Sequence, residues 1–529
     1  MKNTAEKPHP SSTRFIAYLV LTAMVCGALV MVVEVLGSRV LGPFFGVSLF
    51  VWTSLITVTL VALAAGYAAG GIAADKKDSP HYLFGIILVA GFLVLAIPFA
   101  KGPVLKMCQP LGLRLGALAS SLLLFGPSLF LLGCVSPYIV KIAAREVRTI
   151  GRTVGLFYAL STLGSFLGTI VTGFVLIAYL GVDRIFQVAG MLLICLALIY
   201  FVFFQRRWRT LPILMLPLFL LQTGSPEAKV MANGTLATRV YSKDSFYGNL
   251  KVVDYSYGPN HTRELIIDGL IQGGIDMANN LSIYEYSYFM EFLPFSINSA
   301  GKDCLVIGLG AGVVPQWYEA RGIRTDVVDI DPEVAKIARD YFGFKLAGDL
   351  IIADARHYLN TTEKQYDYIV LDVFNGDTTP GHVLSVEAFQ LLKQRMTLRG
   401  VLAINLVGCL RDNNFITASV IKTLQTVFMT VEVYPTFPPE GENAYGNLAL
   451  VAYQYPAVTF DPLITKKFPV DPMAQEGLAR LLGKKYVFPR QAKAIVLTDD
   501  YNPVDFYDSW VKENVRKRIL ESTDWDILI

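Results

Sequence analysis

Between Phe15 and Leu221 long apolar runs are separated only by short basic loops, a pattern that few soluble folds can absorb. A helix needs about 20 apolar residues to cross the hydrocarbon core, because each residue rises about 1.5 Å. Six segments meet this length: Phe15–Leu36, Leu49–Ala74, Tyr82–Ala100, Leu115–Val140, Val154–Leu180 and Ile185–Phe204. A seventh run, Leu211–Leu221, contains Pro212 and Pro217 and is short for a span. With the N-terminus inside, the inner loops hold twelve Lys/Arg and the outer loops five. Retention of Lys and Arg on the cytoplasmic side then predicts a cytoplasmic N-terminus and, after six spans, a cytoplasmic C-terminal half in the plasma (inner) membrane. If Leu211–Leu221 also crosses, that half faces outward. The first run continues to Glu34 and Arg39 instead of a small-residue cleavage site, so no cleavable signal is expected.

From Gln222 onward charged residues return at ordinary density. Two domains are expected, 1–221 and 222–529. The net charge of +3 and the lack of a Lys/Arg block with interleaved aromatics argue against nucleic acid. Six cysteines are scattered singly and there are five histidines, so neither disulfides nor a metal site is expected. Glu34 and Arg39 are either functional groups at membrane depth or an interfacial pair. Gly155, Ser161, Gly164, Ser165, Gly168 and Gly173 supply small residues for close helix approach in the fifth span. Pro127 and Ser136-Pro137 would interrupt the fourth, as a kink or a cavity.

The second half reads as α/β. Alternation over Leu236–Ile271 gives a small β-region, with a helix over Ser282–Phe292. Strands are expected at Cys304–Gly308, Thr325–Asp329, Leu350–Ala353, Tyr368–Leu371 and Val401–Leu406. Helices follow Gly312 and Pro332 and cover Val386–Met396. This βα alternation predicts an open, mostly parallel Rossmann-like sheet that binds ligands at the carboxyl ends of its strands.

Four features fall at those ends. Gly308-Leu309-Gly310-Ala311-Gly312 follows the first strand, where glycines let backbone approach a ligand. Val313 stands where a dinucleotide fingerprint would place Gly or Ala. Val328-Asp329-Ile330-Asp331-Pro332 ends the second strand: Asp331 reads as a helix N-cap before proline, which leaves Asp329 for a ribose diol. Asp354 ends the third strand, beside an adenine amino group or as a loop cap. Asp372 ends the fourth, as proton acceptor or cation stabiliser, or as a cap for the turn Phe374-Asn375-Gly376-Asp377.

These residues, in this order, resemble the spermidine synthase (polyamine aminopropyltransferase) family, together with Ser245-Phe246-Tyr247-Gly248-Asn249, Ile267-Asp268-Gly269-Leu270-Ile271-Gln272 and Tyr284-Glu285-Tyr286-Ser287-Tyr288. The whole chain is similar to bacterial proteins that fuse a multi-span region to such a domain. The resemblance implies an S-adenosylmethionine methyltransferase-like sheet with a small N-terminal β-region, used for polyamine biosynthesis. It implies a decarboxylated S-adenosylmethionine donor, an amine acceptor and methylthioadenosine as product. By this resemblance Gln272, Gly308, Gly310, Gly312 and Asp329 hold the donor, with Asp354 and Ala355 around adenine. Asp372 matches the proton acceptor, and Tyr286, Ser287, Asn375 and Asp377 line the acceptor pocket. The chain departs from the family at Ala311, where an aspartate usually binds the donor's ammonium, and at Ser287, usually histidine. Losing the first contact costs a decarboxylated donor about 1.5–3 kcal/mol. Intact S-adenosylmethionine loses less, since its carboxylate can sit against N–H groups of the helix near Gly312. The alternatives are an S-adenosylmethionine-dependent methyltransferase and a transporter with a nucleoside-sensing domain. No metal is expected; the partners are a small-molecule amine or the donor itself and the lipid bilayer, with a homo-oligomer left open.

Overall fold

The computed structural model describes residues 13–46, 49–143, 150–206, 210, 227–374, 379–412, 414–440, 444–461, 463–489, 493–507 and 509–522. The chain divides into two compact units, 1–225 and 226–528.

Among the described residues of the first unit, six helices are long and apolar enough to cross a membrane: Thr13–Phe45, Leu49–Lys76, Pro80–Leu124, Gly126–Ala143, Ile150–Leu176 and Val182–Phe204. Three expectations are corrected. The first helix runs on past Leu36, which places Arg39 inside it together with Glu34. The expected fourth span, Leu115–Val140, is divided. Its front part belongs to the helix Gly112–Leu124, joined through the turn Gln109–Leu111 to Pro80–Cys108, and a separate helix begins at Gly126. The expected interruption at Pro127 is thus present: the break falls at Phe125, a single residue that keeps right-handed helical backbone, and Pro127 stands in the first turn of the helix that follows, where its missing N–H is harmless. Four of the five Lys/Arg counted in the outer loops, Lys101, Lys106, Arg114 and Arg184, stand on helices. Lys101 Nζ lies 2.7 and 2.8 Å from the two carboxylate oxygens of Asp183, fastening the third helix to the sixth. The run Leu211–Leu221 lies outside the described residues.

The small residues of the fifth helix divide by face. A Cβ added at Gly164 would stand 2.1 Å from the carbonyl oxygen of Met24, and one at Gly168 would stand 2.5 Å from that of Ala28. The reciprocal glycine, Gly27, sits 2.3 Å by the same measure from the Ser161 carbonyl, and Ser165 Oγ donates to the Gly27 carbonyl at 2.9 Å. Gly155 and Gly173 face open space. Gly164→Leu is therefore expected to force the first and fifth helices apart at a cost of about 3 kcal/mol or more, the upper end of overpacking. Gly155→Leu should be neutral. Thermal unfolding of the detergent-solubilised chain checks both, and equal melting temperatures for the two variants would refute the assigned face.

The second unit opens with a five-stranded antiparallel sheet in chain order: β1 Ala228–Val230, β2 Leu236–Asp244, β3 Asn249–Tyr257, β4 Asn260–Ile267 and β5 Leu270–Asp276. The helix Glu285–Ile297 leads into a seven-stranded sheet of β6 Asp303–Ile307, β7 Arg324–Asp329, β8 Leu350–Ile352, β9 Tyr366–Leu371, β10 Met396–Cys409, β11 Thr430–Pro435 and β12 Tyr445–Tyr453. Its order is β11-β12-β10-β9-β6-β7-β8. The strands from β10 to β8 are parallel neighbours, while β12 runs antiparallel to β10 and β11 to β12.

The two-residue period of a strand explains why β6 is apolar from Cys304 to Ile307. Cys304 and Val306 enter the core on one face, Leu305 and Ile307 the core on the other. The chain leaves β6 toward β7 and β8, then returns to place β9 and β10 on the opposite side. The space between β6 and β9 is thus a topological switch point, where parallel sheets of this kind open a crevice beyond the strand ends.

Candidate active site

The glycine turn after β6 lies between β9 and β7. Gly308 N–H donates to the Val328 carbonyl at 2.8 Å, and Asp372 N–H donates to the Ile307 carbonyl at 2.8 Å. Gly308 has φ +94°, and a Cβ there would stand 2.0 Å from the Asp372 carbonyl oxygen. Gly310 and Gly312 also have positive φ. Strand β5 closes over this turn. The Gln272 carbonyl oxygen lies 3.1 Å from a Cβ built on Gly310, and the Cβ of Ala311 lies 3.2 Å from one built on Gly273. The helix beginning after Gly312 is Val313–Glu319, only seven residues. A helix that short has little dipole to offer the anion expected at its start, and the N–H groups of Gly308, Leu309 and Gly312 in the turn are already engaged.

Asp329 is not left free, as its sequence position suggested. Oδ2 accepts Leu309 N–H at 2.8 Å and Oδ1 accepts Asp331 N–H at 2.8 Å. Each oxygen keeps a second lone pair, so a diol can still be received. Burial pushes its carboxyl up to about 6 against the pull of those N–H groups. Asp331 is the N-cap of Pro332–Phe342, accepting from Glu333 N–H, and it also accepts from Ser245 Oγ at 2.5 Å. That bond brings the turn Ser245–Gly248 of the small sheet beside the end of β7.

Asp354 caps the helix Ala355–Thr361 through the His357 N–H at 3.0 Å, so the structural reading holds for Oδ1. Oδ2 lies 3.5 Å from His382 Nε2. Ala355 packs against the core as the first residue of that helix.

Asp372 is half-buried where β9 ends. Burial pushes its carboxyl up to about 6, opposed by the bond that Asn405 Nδ2 donates to Oδ1 at 2.8 Å. Its charge acts on the Tyr286 hydroxyl, which donates to the Gln272 carbonyl at 3.1 Å. Tyr286 stacks at 6.3 Å on Tyr284, whose hydroxyl donates at 2.6 Å to buried Glu264. Ser287 turns inward: it is buried and its Oγ accepts from Ser282 Oγ at 3.0 Å. Asn375 and Asp377 lie outside the described residues.

The glycine turn, Asp329 and Asp372 thus stand at three neighbouring strand ends, those of β6, β7 and β9, where they meet Gln272 of β5 and Tyr286 of the helix Glu285–Ile297. Asn405 and Asn447 were not singled out in the sequence. Their signal was an asparagine inside the apolar run Val401–Leu406, since a buried amide requires partners. Among the described residues no cluster of His, Cys, Asp and Glu could hold a metal.

The spermine/spermidine synthase domain model matches residues 284–462. This part of the chain is similar to the spermine/spermidine synthase family. An N-terminal histidine N-methyltransferase of Emericella nidulans is 32% identical over 197 residues, 36% of this chain and 34% of that protein. A polyamine aminopropyltransferase of Vibrio vulnificus is 37% identical over 125 residues, 22% of this chain and 41% of that protein. The chain therefore spans less than half the length of these curated relatives. A probable spermidine synthase from Corynebacterium glutamicum covers 49% of this chain and 95% of its own, with a TM-score of 0.39 at 20% identity. The synthase-like domain holds both the glycine turn and Asp372, whereas Gln272 lies upstream of the matched residues.

Proposed function

We propose that this chain is a membrane-integral enzyme that takes S-adenosylmethionine or its decarboxylated form and transfers or releases the (carboxy)aminopropyl group, with methylthioadenosine as product. The observation that carries this reading is the half-buried Asp372 carboxyl beside the glycine turn, its proton affinity raised by burial and its orientation fixed by Asn405. In this reading Asp329 receives the ribose diol, Asp354 and Ala355 flank adenine, and Gln272 and the turn hold the rest of the donor. An acceptor amine attacks the carbon next to the sulfonium, the C–S bond breaks with its electron pair going to sulfur, and Asp372 takes the amine proton. Tyr286 borders the acceptor, with Ser287 supporting it from behind. In this reading the six long apolar helices span a plasma membrane, and the bias of basic residues toward the inner loops puts the synthase-like domain on the cytoplasmic side.

A second reading, methyl transfer from intact S-adenosylmethionine, is favoured by Ala311 and by the methyltransferase among the relatives. The full chain in detergent, incubated with each donor, separates the two by the nucleoside released. Methylthioadenosine supports aminopropyl chemistry, and S-adenosylhomocysteine overturns it in favour of methyl transfer. Binding without any product would leave a nucleoside-sensing domain on a transporter.

A further inference from the structure

Asn405 stands in the middle of β10 between Ile404 and Leu406 and is 1% exposed. Its two amide ends are both used. Nδ2 donates to Asp372 Oδ1 at 2.8 Å, and Oδ1 accepts from Asn447 Nδ2 at 3.0 Å. The register explains the meeting. Asn405 pairs with Ala449 across the antiparallel β10/β12 ladder, and Asn447, two residues before Ala449, shares its face and lies on the diagonal.

An ionised carboxylate only accepts hydrogen bonds, so it must be met by the nitrogen end of the Asn405 amide. Rotating that amide by half a turn would offer its oxygen to Asp372, an arrangement that suits the protonated acid. With Asn447 Nδ2 donating to it, the rotated Asn405 amide would set two donors against each other, so the nitrogen end of Asn447 disfavours that form. We propose that Asn447 and Asn405 are positioning residues for Asp372: Asn447 fixes which end of the Asn405 amide faces the crevice, and so keeps the Asp372 carboxylate ionised and aimed as a proton acceptor. The proposal rests on the reading of Asp372 as the acceptor of the amine proton. The downward pull of Asn405 on the Asp372 carboxyl, against burial, has the direction this requires. From the other elements around Asp372, the described groups are the Tyr286 hydroxyl on the helix Glu285–Ile297 and Gly308 in the turn. Of these only the tyrosine titrates, and burial holds its proton on far above neutrality.

The test uses the full chain in lipid nanodiscs. Asn447→Asp replaces the donor by an acceptor and should turn the Asn405 amide round. The expected result is a kcat for methylthioadenosine release lower by about tenfold or more at neutral pH, with donor KM little changed, and an acid limb of the pH profile moved upward by about one pH unit. Asn447→Ala, which leaves the amide free to rotate, should move kcat and limb in the same direction by less. In parallel, pH-difference infrared spectra read the Asp372 carboxyl band directly, assigned by its loss in Asp372→Asn. Both Asn447 variants should shift that band's titration upward. An unshifted titration in both variants overturns the relay, whatever the enzyme assay gives. A shifted titration in a chain whose methylthioadenosine release ignores Asp372→Asn upholds the relay and removes instead the role proposed for Asp372.

Discussion

Replacing Asp372 by asparagine is expected to lower methylthioadenosine release by about 10²–10⁴-fold while donor affinity stays within a few-fold of wild type. Asparagine keeps the size and one acceptor oxygen but cannot take a proton from an attacking amine. In the wild type, burial pushes the Asp372 carboxyl up to about 6, so activity should rise with pH through about 6 and then level. The same shift has a consequence for stability, with the opposite sign. A carboxyl whose folded value lies above its unfolded one contributes stability that is present below the unfolded value and lost as pH rises through about 6. Removing the ionisation should therefore stabilise Asp372→Asn over the wild type above pH 6, by about 1–3 kcal/mol, and not near pH 4. Thermal unfolding at both pH values and isothermal titration with methylthioadenosine check the set. A variant that loses affinity and melts earlier would mean a collapsed crevice. One that turns over normally would place the base elsewhere, with Asp377 next in line.

Much of this site could be read before any coordinates, because strand ends in a parallel sheet carry local signatures. An apolar β-branched run broken by glycine located β6 and its turn, and the Asp331-Pro332 pair located both the end of β7 and the following N-cap. What escaped reading depends on distant partners. Strands β11 and β12 join the sheet only by antiparallel pairing with β10, a relation that local periodicity does not carry. The Asn405–Asn447 pair is invisible for the same reason, since it spans 42 residues and exists only once that ladder forms. Asp329 looked free because its donors are backbone N–H groups, which every residue but proline has. In the first unit, sequence listed six small residues on the fifth helix, but only the partner helix decides that Gly164 and Gly168 are the packed ones. The split at Gly126-Pro127 was ambiguous because proline both starts and bends helices.

The glycine turn offers the sharpest test of how firmly β6 and β9 are locked together. Gly308 and Gly310 look alike in sequence, but the structure assigns them unequal constraints. Gly308 has φ +94°, which strains any L side chain, and its added Cβ would meet the Asp372 carbonyl oxygen at 2.0 Å. That oxygen belongs to backbone whose own N–H is held by Ile307, so it cannot withdraw without loosening β9. Gly310 has φ +52°, within the left-handed region that other residues enter at about 1–2 kcal/mol, and its nearest neighbour is the Gln272 carbonyl oxygen at 3.1 Å. Gly308→Ala is therefore expected to cost about 3 kcal/mol or more from strain and overpacking together, and to abolish both donor binding and turnover because Asp372 moves with the turn. Gly310→Ala should fold, losing about 1–2 kcal/mol and binding the donor more weakly without losing it. Isothermal titration and thermal unfolding of the two variants in the full chain separate these outcomes. Unimpaired donor binding by Gly308→Ala would show that β9 shifts freely against β6, and a crevice that pliable would not hold Asp372 in one place for proton transfer.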